Sequence, residues 1–139
     1  MDCIFCKIIK GDIPSYTIYE DDIVKVFLDV NPMSPGHMLI IPKKHFENLD
    51  DIDIDTLTHI NEIAKKMHIL LKEKLNIDGM SIIQNNGDVQ EVKHYHMHLK
   101  PYYKGNNGIS VEEVYKKLIG WNAPLRVDIN KKTVQKEMC

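Results

Sequence analysis

The run His94-Tyr95-His96-Met97-His98-Leu99 leaves few ways for this chain to fold, because three histidines alternate strictly with Tyr, Met and Leu. In an extended strand successive side chains point to opposite faces, so this spacing puts all three imidazoles on one face and the apolar residues on the other. Neighbouring histidines on that face would stand roughly 6.5–7 Å apart at their Cα atoms, close enough to share one small anionic or metal centre. The row could serve an anion, or it could be a zinc site of the His-x-His kind, since imidazole is the commonest transition-metal ligand. The plain alternative is a half-buried strand whose polar face happens to be histidine. Seven histidines in 139 residues make a chance triple at this spacing improbable.

A chain of this length is sized for one domain, expected to run over 1–139, and 43% hydrophobic with 27% charged residues is ordinary globular composition. A net charge of −2 provides no field that would collect nucleic acid or an anionic membrane. Any phosphate bound here must be held by local groups. No apolar run approaches a membrane span, and the start lacks the basic-then-apolar grammar of a signal peptide, so a cytoplasmic protein is expected. In a reducing compartment Cys3-x-x-Cys6 reads as thiols or metal ligands, with Cys139 left unpaired.

Apolar and basic residues at helical spacing predict a short helix from Cys3 to Lys10, stopped by Gly11-Asp12-Ile13-Pro14. Thr17–Glu20 and Ile23–Asp29 are rich in β-branched and aromatic residues, and Asp21-Asp22 between them suits a tight hairpin. Asn31 to Gly36, with two prolines, is a loop, and His37–Pro42 a third strand. From Asp53 to Leu75 the apolar residues Leu57, Ile60, Ile63, Ala64, Met67, Leu70 and Leu71 recur at steps of three and four, which predicts one long amphipathic helix on a sheet. Met80–Gln84 and the histidine run complete the strands, and Val111–Leu118 forms a short helix before an irregular tail containing Trp121 and a polar end near Asn130. Strands that follow one another without crossover helices predict an α+β fold: about five antiparallel strands, one long and two short helices, with the helices on one side.

The histidine run resembles the triad motif His-φ-His-φ-His-φ-φ of the HIT superfamily, except that Lys100 takes the last apolar place. The resemblance extends in order through Ile4-Phe5, Gly11-Asp12-Ile13-Pro14, Tyr19-Glu20-Asp21, Phe27-Leu28-Asp29, Pro35-Gly36-His37, Ile41-Pro42-Lys43-Lys44-His45 and Asn85-Asn86-Gly87. It covers nearly everything from Cys3 to Pro101, with the segment 110–139 beyond that core, and lies nearest to the Hint-type and bacterial branches. It implies a HIT-like fold and an enzyme that cleaves a nucleoside 5′-monophosphate such as AMP or GMP from a leaving group, a phosphoramidate foremost. Alternatives are a dinucleoside polyphosphate hydrolase and a nucleotide-binding regulatory protein with little turnover.

The resemblance assigns His96 as the nucleophile that forms a covalent nucleotidyl-imidazole. It assigns His98 to the bridging atom and phosphate oxygens, and His94 and His37 to orienting the triad. An attacking imidazole must be neutral near pH 7, and histidine's ordinary pKa of about 6.5 already favours that. Asp29 matches the ribose-binding carboxylate, Ile4, Phe5 and Val30 the walls of the base site, and Asn85 and Gln90 phosphate contacts. The loop between Gly87 and His94 is two residues shorter than the usual form and lacks the glycine before the glutamine. Bacterial relatives pair cysteines like Cys3 and Cys6 with the equivalents of His45 and His94. Two thiolates and two imidazoles would make a closed tetrahedral, structural zinc site, with no metal required for catalysis. The resemblance also implies a homodimer, without nucleic-acid or membrane partners.

Overall fold

The computed structural model describes residues 3–105 and 108–119. Five antiparallel strands form one sheet: β1 (Thr17–Glu20), β2 (Val24–Leu28), β3 (Met38–Pro42), β4 (Gly79–Gln84) and β5 (Met97–Tyr102), in the spatial order β1-β2-β3-β5-β4. The helices are α1 (Ile4–Lys10), α2 (Ile54–Leu75) and α3 (Val111–Ile119), and a single 3₁₀ turn spans Gly87–Val89. The expected element set is therefore present, and the expected tail with Trp121, Asn130 and Cys139 lies outside the described residues.

Local chemistry sets the boundaries. Asp53 caps α2, its carboxylate accepting from the Thr56 N–H, and Asn76 ends the helix in the left-handed conformation. Cys3 caps α1 through its sulfur, and Gly11, at φ 89°, closes it. Between β1 and β2, Asp21 holds the turn by accepting the N–H groups of Ile23 and Val24, both at 2.8 Å. Its other oxygen accepts the Tyr19 hydroxyl and meets His59 Nε2 of α2, both at 2.6 Å, which ties the hairpin to the long helix.

The helices do not share one side. The period-two pattern of β2 and β3 sends Val26, Leu28, Met38 and Ile40 to a large core with α2 and α3, while Phe27, Leu39 and Ile41 point the other way. Helix α1 covers that second face with Cys3, Phe5 and Ile8. A strand buried on both faces needs two covers, and the alternation alone did not reveal that β2 and β3 were apolar on both.

The histidine run also departs from one continuous strand. Pairing with β3 covers Met97, His98 and Leu99, so His94 and His96 precede β5. The chain there turns toward other partners, with Tyr95 N–H donating to the Phe46 carbonyl at 2.7 Å. The alternation of faces persists: Tyr95, Met97 and Leu99 enter the large core, and His94 and His96 both meet the Phe5 ring edge-on on the other side.

Candidate active site and metal centre

Each histidine is held by groups that decide where its proton sits. His96 Nδ1 lies 2.8 Å from the His94 carbonyl, an acceptor only, so Nδ1 carries the proton and Nε2 keeps a free lone pair. His37 Nδ1 accepts the Met33 N–H at 3.1 Å, which leaves the proton on Nε2, and that N–H donates to His98 Nδ1 at 3.0 Å. His98 must then carry its own proton on Nε2. The result is a bare ring nitrogen on His96 beside a ring donor on His98, with centroids 5.0 Å apart.

The electrostatics keep these rings neutral. Burial lowers the His96 pKa below the ordinary histidine value, ahead of the opposing bond to the His94 carbonyl and the charges of Glu91 and Asp29. Burial, then the charges of His96, His37 and Lys100, push His98 down to about 4. His37 is lowered by burial against the pull of Asp29, whose carboxylate lies 3.7 Å from its Nε2.

A cleft of about 340 Å³ opens beside His96 and His98. Ile4, Phe5 and Val30, the residues that the resemblance assigns to a base site, line it together with Asp29. Asp29 Oδ1 is steadied by the Asn31 N–H at 2.8 Å, and its N–H is anchored to the His37 carbonyl at 2.9 Å. Ile13, Phe27, Leu39 and Val92 add further apolar wall, and Glu91 stands at the rim. The sequence places Ile13 in the helix-stopping turn, Val92 in the short loop and Phe27 and Leu39 in strands, and no local signal marks any of them as a cleft wall.

Gln90 and Asn85 do not line this cleft. Gln90 is buried and turned inward, its Nε2 donating to the Glu47 carbonyl at 2.6 Å, while its Oε1 has no hydrogen-bond partner among the described residues. Asn85 follows the end of β4, half-buried, its carbonyl accepting from Gln84 Nε2. The short loop accounts for both positions: it folds into the 3₁₀ turn at Gly87–Val89, closed by the Gln90 N–H on the Gly87 carbonyl.

Behind the triad, Cys3 Sγ, Cys6 Sγ, His45 Nδ1 and His94 Nδ1 all lie within 4.8 Å of one another. The separations are 3.3 Å for Cys3 and His94, 3.3 Å for Cys6 and His45, and 3.0 Å between the two imidazole nitrogens. A tetrahedral zinc with Zn–S near 2.3 Å and Zn–N near 2.0 Å has ligand-to-ligand edges of about 3.3–3.8 Å, so small shifts would complete it. The donor chemistry fits as well. His94 Nε2 donates to the Pro42 carbonyl at 2.8 Å, so its Nδ1 is the lone-pair nitrogen and faces the two sulfurs. Burial holds His94 down to about 4, the neutral form a metal requires. A second group, Asp29, His37 and His98, also brings its donor atoms within 4.8 Å of one another.

The HIT domain family matches residues 10–105 of the chain. An uncharacterized HIT-like protein of Methanocaldococcus jannaschii is 43% identical over 129 residues, covering 85% of this chain and 99% of that one. An adenosine 5′-monophosphoramidase of Saccharomyces cerevisiae is 41% identical over 123 residues, covering 87% of this chain and 70% of the relative. The crystal structure of a zinc-bound histidine triad family protein from Mycobacterium smegmatis superposes with a TM-score of 0.81 at 30% identity, over 95% of this chain and 98% of that one.

Proposed function

Since this chain belongs to the HIT family, we propose that it is a nucleotide hydrolase that releases a nucleoside 5′-monophosphate from a phosphoramidate, through a covalent intermediate on His96. The observation that carries this reading is the proton arrangement, which leaves His96 Nε2 unprotonated beside the His98 ring, whose Nε2 carries an N–H. In the first step the His96 lone pair attacks the α-phosphorus while the bond from phosphorus to the leaving nitrogen breaks. The leaving nitrogen departs as the neutral amine with the proton that an N-protonated substrate already carries, while the neutral His98 donates its Nε2–H to a phosphate oxygen. In the second step water attacks the same phosphorus, the phosphorus–imidazole bond breaks, a proton of that water passes to solvent, and His96 is left neutral with its Nδ1–H and a free Nε2 lone pair. The relative named as a monophosphoramidase supports the substrate class. Asp29 accepts hydrogen bonds from the ribose hydroxyls, and Ile4, Phe5 and Val30 hold the base by apolar contact.

The Cys3, Cys6, His45 and His94 set holds a structural zinc, a reading supported by the tetrahedral spacing and by the zinc-bound relative. The protein forms a two-fold dimer through the open edge at β4, where Ile82 is 54% exposed. No helix among the described residues is long and apolar enough to cross a membrane.

The test is a panel of adenosine phosphoramidates, dinucleoside polyphosphates and nucleotide sugars assayed for released AMP, with acid quenching of labelled substrate. The expected result is fastest release from the phosphoramidate and an acid-labile nucleotidyl adduct that His96→Ala abolishes. Faster release from the polyphosphate would replace the substrate class, and tight AMP binding with no release from any compound would mean a binding protein.

A further inference from the structure

One half of the histidine face is closed and the other is open. Helix α1 covers β2 and β3 with an apolar cluster that includes Phe27, Leu39 and Ile41. Among the described residues no equivalent apolar cluster packs there over β5 and β4, and the strand alternation carries the histidine face onward from His98 to Lys100. In register, His98 stands opposite Ile83 and Lys100 opposite Ser81 of β4. Lys100, Ser81, Met33 and Ser34 line a groove of about 430 Å³. Lys100 is half-buried and has no ion-pair partner among the described residues. The triad pattern has an apolar residue in this place, so a cation here is a feature of this chain.

The walls that suit a base lie on the α1 side of His96 and His98. A group departing from phosphorus on the opposite side passes over His98 onto the open part of the sheet, where Lys100 is the cation it meets. On the function proposed above, we propose that Lys100 is a specificity-determining residue that binds an anionic group carried by the leaving group, so that the substrates are nucleotide conjugates whose departing portion bears a carboxylate or a phosphate. The Lys100 charge already reaches the reacting groups, since it contributes to lowering the pKa of both His37 and His98. An anion seated on it would neutralise that field at the moment the leaving group departs.

The test compares AMP phosphoramidates of β-alanine and of β-alanine amide, which differ only in the terminal charge, together with diadenosine tetraphosphate as the phosphate-bearing arm. Wild-type protein, Lys100→Met and Lys100→Arg are assayed at low and high salt. In Lys100→Met the ratio of kcat/KM for an anionic over the neutral conjugate should fall about ten-fold, mainly through KM. In Lys100→Arg the ratio should stay within about two-fold of wild type, and salt should erode it in both charged forms. A fall confined to the carboxylate or to the tetraphosphate assigns the subsite to that anion. A ratio unchanged in Lys100→Met overturns the proposal, because a lysine kept for solubility or folding would shift all conjugates together. If no compound releases AMP, the hydrolase reading fails separately, and calorimetry with AMP and ADP then decides for Lys100. The subsite requires Lys100→Met to weaken ADP several-fold more than AMP, and equal losses would rule it out.

Discussion

Four imidazoles of one residue type do different work here because each has a different backbone or ring partner. The His94 carbonyl sets the His96 proton, the Met33 N–H sets that of His37, and His37 in turn sets His98. On the proposed mechanism neutral His96 is the reactive form, and burial holds its pKa below the ordinary value, so the acid limb of a kcat/KM profile should fall at a pH below about 6.5. An inflection above that value would contradict a buried nucleophile. Stability follows the same direction. With His98 at about 4 and His37 also lowered, the unfolded chain takes up protons below about pH 6.5 that the folded protein refuses. Thermal unfolding should therefore show a melting temperature that declines from about pH 6.5 to about 4. Asp29 makes a third test: Asp29→Ala should weaken AMP roughly ten- to a hundred-fold, as expected for lost hydrogen bonds to a charged group, and barely affect the 2′,3′-dideoxy analogue. Equal losses for both ligands would give Asp29 a role in the fold alone. The residue types of this site were legible from spacing and resemblance, whereas their proton positions depend on carbonyls and N–H groups brought from elsewhere in the chain.

At the scale of elements, legibility followed the range of the physics involved. The 3.6-residue repeat of α2 and the β-branched runs of the strands are local and could be read directly, down to the Gly11 stop, whereas the Asp53 cap emerges only in the structure. Which face α1 covers depends on β2 and β3 being apolar on both sides, a fact about the sheet that the helix sequence does not contain. The inward turn of Gln90 likewise depends on Glu47, 43 residues away. The loop glycine before β3 offers a test of packing. Gly36 has φ +90°, and a Cβ there would stand 2.9 Å from both Leu71 Cδ2 and Leu75 Cδ1 of α2. Gly36→Ala should thus destabilise by about 1–3 kcal/mol in chemical denaturation, combining left-handed strain with crowding, and a neutral outcome would mean the loop can move away from α2. Helix α1 makes the second test. Protein purified without added metal should carry close to one zinc per chain, and Cys3→Ser with Cys6→Ser should remove it and lower the melting temperature while substantial AMP-releasing activity remains. Loss of the metal in His96→Ala instead would place the ion on the triad.

For the whole molecule, the sheet has one long edge with an apolar surround. Strand β4 ends the strand order, and its Ile82 stays exposed. Burying such an edge against a second copy satisfies its free N–H and C=O groups. Sedimentation at micromolar concentration should give a dimer, and Ile82→Lys should shift it toward monomer. A monomeric wild type would refute the arrangement. The two cores bear on how the chain assembles. Nearly all of the larger one is built from residues between Ile18 and Leu118, while the smaller one depends on Cys3, Phe5 and Ile8 docking onto the sheet, with Cys3 meeting His94 across 91 positions of sequence. Closing so long a loop costs more chain entropy than the hairpins and helix contacts of the rest, and the reward comes only after the sheet exists. The cluster of Cys3, Cys6, His45 and His94 should then be the last clasp to fasten during folding and the first to open in native-state hydrogen exchange. The amides of α1 should exchange at a small fraction of the global unfolding free energy, and the nucleotide cleft, walled by that helix, should exist only in molecules that have completed the final step.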